Sequence, residues 1–103
     1  MIKGDSINIP KQLIRSALSM NAKWLYLSLL EMEMRLCEKH GEPFIQRDID
    51  ICNVCGFSLA TLKRAKRELR TSEFISCWVS AVPVNKYGEL TREHYTHYRI
   101  NEV

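Results

Sequence analysis

The chain has 103 residues, of which 46% are hydrophobic and 26% charged, a balance typical of a folded domain rather than a disordered chain. A formal net charge of +3 is mildly basic, so where the charges lie matters more than their sum. We expect a single domain over residues 1–103 in a cytoplasmic protein, because no apolar run reaches the ~20 residues of a membrane span and the first ten residues lack a signal-peptide core. The four cysteines are then expected as thiols or metal ligands.

The first forty residues predict a short helical turn and then one long helix. Pro10 can start a turn over 11–16, and the long helix is expected over 21–40, ended by Gly41 in a left-handed conformation. The apolar residues of the long helix form a wide arc. Such an arc predicts a central core helix, or a helix that packs against a second copy of the chain in a homodimer. The arc consists of two stripes, Trp24, Leu27, Leu30, Met34 and Cys37 in one and Leu25, Leu29, Met32 and Leu36 in the other.

The middle of the chain predicts two helices joined by a tight turn. Pro43 breaks the chain before a short strand at 44–45, and residues 47–55 have helical spacing of apolar residues. Gly56 ends that helix, and Ser58 is a suitable N-cap for a second helix that runs to about residue 70.

The C-terminal third predicts two strands and a loop. Residues 74–82 and 94–100 are rich in β-branched and aromatic residues, and residues 83–93 are expected to form the loop between them. The predicted fold class is therefore α+β, mainly α with a small β-hairpin, in the order α-β-α-α-β-β.

Residues 48–70 resemble a helix-turn-helix motif. Gly56 occupies the tight turn, where glycine is favoured because it takes positive φ freely. Cys52 supplies the small side chain needed where the two helices cross. The other positions at which the helices would touch are all apolar or small: Ile51, Cys55, Phe57, Leu62 and Ala65. With residues 74–100 as the wing, the layout resembles a winged helix-turn-helix.

The second helix of the motif carries a basic face. Residues 63–70 read KRAKRELR, with five basic side chains against Glu68. Lys63 and Arg67, and Lys66 and Arg70, are like-charge pairs four residues apart, each of which costs an isolated helix roughly 0.2–0.5 kcal/mol. DNA phosphates would offset this repulsion, whereas the alternative is a solvated basic face without a partner.

In helix-turn-helix docking, the N-terminal part of the second helix reaches the base edges. Arg64 is the candidate for recognising guanine through hydrogen bonds. Ala60 and Thr61 are the candidates for contact with a thymine methyl group. Lys66 and Arg70 are expected to meet phosphates or to lie off the interface. The predicted DNA-binding residues, the last two from the wing, are Ser58, Ala60, Thr61, Lys63, Arg64, Arg67, Lys86 and Arg92.

A zinc site and an enzyme are the competing interpretations. Cys37 and His40, followed by Cys52 and Cys55, have the spacing of a four-ligand zinc site. However, Cys37 lies on an apolar stripe, and the other two cysteines occupy packing positions of the motif. No metal, cofactor or catalytic role is predicted, because neither a Ser-His-Asp set nor a phosphate-binding glycine loop stands out.

Most of the chain is similar to the winged-helix domains of phage and plasmid replication initiators and replisome organisers. That resemblance implies binding of double-stranded DNA in a mobile element, at a replication origin or at an operator. The alternative is a winged helix that binds protein instead of DNA, and the wide apolar arc favours it. The matching residues are Leu18, Ser19, Ala22, Lys23, Leu25, Tyr26, Leu29 and Leu30 in the first half, and Gly56, Ser58, Thr61, Arg64 and Leu69 in the second.

Overall fold

The structure, a computed structural model, describes residues 10–83 and 90–101, with residues 80–83 and 90–95 as backbone alone. These ranges contain four helices and a three-stranded antiparallel sheet. This confirms the predicted α+β class, and the layout is compatible with a winged helix. No helix in these ranges is long and apolar enough to cross a membrane. In chain order the elements are α1 (Lys11–Arg15), α2 (Met20–Leu36), β1 (Phe44–Gln46), α3 (Asp48–Cys55), α4 (Leu59–Thr71), β2 (Ile75–Pro83) and β3 (Leu90–Ile100).

The sheet has β3 in its centre, paired with β1 on one side and β2 on the other. Tyr98 of β3 lies opposite both Phe44 and Cys77, and its ring stacks on that of Phe44. The expected loop over 83–93 is too long, because the pairing of β2 with β3 extends to Pro83 and Leu90. Arg92 therefore lies in a strand rather than in the loop.

Helix α2 ends four residues earlier than its sequence predicts. After Leu36 the backbone of Cys37 is extended, with φ −119° and ψ 151°. The cause is the buried carboxylate of Glu33, which accepts the Gly41 N–H at 2.9 Å and contacts Nδ1 of His40 at 2.7 Å. Gly41 does have positive φ, but it turns the loop back towards Glu33 instead of ending the helix.

The core lies between α2, α4 and the inner face of the sheet. From the two predicted stripes of α2, Leu25, Leu29 and Met32 are fully buried, whereas Trp24 is 49% exposed. The helix is thus covered on one wide side and keeps an outer face. The buried apolar residues are Leu13, Ala22, Leu25, Tyr26, Leu29, Leu30, Met32, Phe44, Ile51, Cys52, Leu62, Ala65, Leu69, Phe74, Ile75, Tyr98 and Ile100.

Candidate nucleic-acid interface

The turn between α3 and α4 has the geometry that the motif requires. Gly56 adopts φ 75° and ψ 30°, in the left-handed region, as its position predicts. The Cys52 carbonyl accepts both the Gly56 N–H at 2.8 Å and the Phe57 N–H at 3.0 Å, so the end of α3 is satisfied locally. The motif residues Ile51, Cys52, Leu62 and Ala65 are buried, and Cys55 and Phe57 pack against the core.

Ser58 begins α4 as predicted. Its Oγ accepts the Thr61 N–H at 3.1 Å and donates to Thr61 Oγ1 at 2.9 Å. The hydroxyls of Ser58 and Thr61, both predicted to face DNA, are therefore hydrogen-bonded to each other. Their structural role is to fix the start of the helix, because an N-cap satisfies an otherwise unpaired backbone N–H.

The side of α4 that faces away from the core carries four exposed cations, named here the α4 basic face. Its members are spaced by one, three and three residues, so they lie on one side of the helix, opposite the buried Leu62, Ala65 and Leu69. Ala60 is exposed on the same side. Among the described residues none of the four cations forms a salt bridge. They are Lys63, Arg64, Arg67 and Arg70.

Lys66 does not belong to the α4 basic face. Its Nζ lies 2.8 Å from Asp48 Oδ1, and its side chain is 13% exposed. The same ammonium lies 5.3 Å from the centroid of the Tyr98 ring. Asp48 thus offsets the repulsion that the sequence predicts between Lys66 and Arg70. The Lys66 ammonium is directed towards Asp48 and not towards the exposed side of α4.

Asp48, Lys66 and Tyr98 form a polar cluster that joins α3, α4 and β3. Tyr98 donates its hydroxyl to Asp48 Oδ1 at 3.3 Å. Burial, reinforced by the negative charge of Asp48, raises the pKa of the Tyr98 phenol, so the hydroxyl keeps its proton and remains a donor. The cluster fixes the orientation of α4 relative to the sheet that follows it.

Glu68, the acidic residue in the basic run, also has a structural partner. Its carboxylate accepts the Ser19 N–H at 2.9 Å and the Ser19 Oγ–H at 2.6 Å. These bonds, together with the nearby charge of Arg64, hold the pKa of Glu68 below its usual range. The contact ties α4 to the start of α2, a role that the sequence did not reveal because the two residues lie far apart along the chain.

The four residues of the zinc alternative do not form one site. Among the described residues no group of three or more His, Cys, Asp and Glu side chains is arranged to hold a metal ion. The Cys37 thiol donates to the carbonyls of Glu42 and Pro43, at 3.6 and 3.7 Å. Cys52 and Cys55 lie in the motif, where burial raises the pKa of both thiols and thus favours the neutral form.

The structure describes the predicted wing, residues 74–100, in part. Lys86 lies outside the described residues, and for Arg92 the structure describes the backbone alone, so both remain predictions. On the outer face of the sheet, Trp78 stacks on His97 with ring centroids 5.3 Å apart, and the Arg99 guanidinium lies 5.7 Å from the Trp78 ring. Trp78 and Arg99 are exposed residues of the predicted wing that were not among the predicted DNA-binding residues.

Comparison with known proteins identifies no relative: no family model, no curated protein and no solved structure matches the chain. Any function must therefore be inferred from the fold, the charges and the contacts of the chain itself. Of these, the α4 basic face is the feature that the core and the internal salt bridges leave unexplained.

Proposed function

We propose that the protein is a winged helix-turn-helix protein that binds double-stranded DNA through α4. The observation that supports this function is the α4 basic face, with four exposed cations on the outer side of the second motif helix. Structural stability does not account for it, because like charges four residues apart destabilise a helix. Binding to DNA phosphates accounts for the α4 basic face, because cations that approach the phosphates release condensed counterions.

The packing of the motif supports docking of α4 in the major groove. The groove is about 12 Å wide and admits one α-helix, whose N-terminal residues then contact the base edges. Arg64 is exposed in the first half of α4, where its planar fork can bond O6 and N7 of guanine together. Lys63 and Arg67 flank it as candidates for phosphate contact.

The biological role that we propose follows from the family resemblance. The protein acts at a replication origin, as the DNA-binding part of an initiator, or at an operator, as a regulator, in a phage or plasmid. Neither role requires catalysis or a cofactor, since base contacts and phosphate contacts suffice for both.

A salt-dependent gel-shift series tests DNA binding. We expect binding of duplex DNA at about 50 mM salt that weakens steeply towards 200 mM, because counterion release dominates the affinity. Arg64→Ala and Lys63→Ala should each weaken binding, whereas Lys39→Ala, which removes an exposed charge in the loop after α2, should not. Absence of any DNA affinity at about 50 mM salt would contradict the proposal.

A protein-binding winged helix is the second candidate, and the exposed indole of Trp24 favours it. The two functions differ in their dependence on the α4 basic face. A protein partner bound elsewhere should be retained by the double variant Arg64→Ala/Arg67→Ala, whereas duplex DNA should be lost.

A further inference from the structure

The outer face of α2 carries apolar residues at intervals of seven. Met20, Leu27 and Met34 follow one another at this spacing; Met20 is 77% exposed, and Leu27 and Met34 are half-buried. Trp24 lies on the same side, 49% exposed. Seven-residue spacing of apolar side chains is typical of a helix that packs along another helix. We name Met20, Lys23, Leu27, Glu31 and Met34 the α2 seam.

The α2 seam is complementary to itself. Counted from Leu27, Met20 and Met34 are both seven residues away, and Lys23 and Glu31 are both four residues away. In an antiparallel pair with its two-fold axis at Leu27, a residue on one side of the axis faces the residue equally far on the other side in the second copy. Lys23 then faces the partner's Glu31, and Met20 packs against the partner's Met34.

We propose that the protein forms an antiparallel homodimer through the α2 seam, with the two-fold axis at Leu27. The charges select this arrangement: a parallel pair in register would place Lys23 against the partner's Lys23 and Glu31 against the partner's Glu31. The contact runs from Met20 to Met34, about 21 Å at 1.5 Å per residue. This inference is independent of the proposed DNA binding.

The existing contacts of the seam charges allow this pairing. Lys23 donates to the Ile14 carbonyl at 3.2 Å, and its ammonium has further protons to donate. Glu31 already accepts from Arg35 at 2.8 Å, and a carboxylate can accept from two cations. The seam lies on the side of α2 that the core leaves uncovered.

Charge reversal tests both the dimer and its register. We expect sedimentation equilibrium at low salt to show a dimer of the wild-type protein. K23E and E31K should each weaken it, by about tenfold in dissociation constant, because two attractive pairs become repulsive. Mixing K23E with E31K should restore association as a heterodimer, because each reversed charge then meets an opposite one. K11E, a reversal on α1, is the matched control and should have no effect.

The same experiments can overturn the proposal. A wild-type chain that stays monomeric at ~100 μM, a concentration at which even weak specific dimers associate, rules the dimer out. A dimer that K23E and E31K do not weaken, or a mixture that associates no better than its components, rules out this register. If a single variant fails to fold by circular dichroism, the double variant K23E/E31K decides, since its pairs are again attractive and it should dimerise. DNA binding by a monomer would remain intact in each case.

Discussion

Gly56 illustrates a constraint that acts on one residue through its backbone. At φ 75° a side chain is disfavoured whatever its surroundings, and an added Cβ would meet no atom within 4 Å. The cost of substitution at this position is therefore conformational and not steric crowding. The same residue begins the turn that sets α4 against α3.

We expect Gly56→Ala to lower the free energy of unfolding by about 1–2 kcal/mol, the cost of the left-handed conformation for a residue with a Cβ. Gly56→Asn should lower it less, because asparagine tolerates this conformation. Urea denaturation of the three proteins measures the difference. An alanine variant as stable as the wild type would show that the turn relaxes to another backbone conformation.

At the scale of the element, α4 presents two kinds of lysine. Lys63 is exposed on the α4 basic face, whereas Lys66 is paired with Asp48 beside the Tyr98 ring. The pair occupies the junction of α3, α4 and β3, and its loss would leave the Asp48 carboxylate with a single donor from the cluster, Tyr98. Similar substitutions at the two positions should therefore have different effects.

We expect Lys66→Ala to destabilise the fold by about 1.5–3 kcal/mol, the range for a hydrogen bond to a charged group, and Lys63→Ala to change stability by less than about 0.5 kcal/mol. For DNA binding we expect the opposite order, with Lys63→Ala having the larger effect of the two substitutions. Lys63→Ala should reduce the slope of log affinity against log salt by about one, and Lys66→Ala should leave the slope unchanged. Urea denaturation and gel shifts of the same two preparations provide both readouts; a reduced slope for Lys66→Ala would place its ammonium at the DNA.

Whether a feature of α4 or α2 can be predicted from the sequence depends on how far apart along the chain the residues that determine it lie. Local spacing was sufficient for the motif, because Gly56, Ser58 and the buried Leu62 are determined by their nearest turns. The end of α2 was not predictable in the same way, since Glu33 reaches forward to Gly41 only once the loop has folded back. Lys66 could not be separated from its basic neighbours without knowing that Asp48 and Tyr98 lie beside it.

At the scale of the whole molecule, the contact between Glu68 and Ser19 makes stability depend on pH. The pKa of Glu68 is lowered from 4.5 in the folded state, so the unfolded chain binds more protons at this residue in acid. Its contribution is fully present above the unfolded pKa and is lost as the pH falls through the lower, folded pKa. The contact thus favours folding at neutral pH and less so in acid.

We expect the stability difference between the wild type and Glu68→Gln to be largest at about pH 6–7 and to shrink below about pH 4, as the wild-type carboxylate becomes protonated. Glutamine keeps the shape of the side chain, and the other carboxylates titrate equally in both proteins. Urea denaturation at intervals between about pH 3 and pH 7 measures the difference. A constant difference over this range would mean that the charge of Glu68 contributes nothing.

The positions of the two tryptophans give the molecule two optical reporters. The Trp24 indole N–H donates to the Cys55 carbonyl at 3.2 Å, beside the α3–α4 turn, and its ring lies on the outer face of α2. Trp78 lies on the outer face of the sheet, stacked on His97. Both indoles are partly exposed, so the emission of each responds to a partner that covers it. With Trp78→Phe the remaining fluorescence follows events at α2, and with Trp24→Phe it follows events at the hairpin, without any added label.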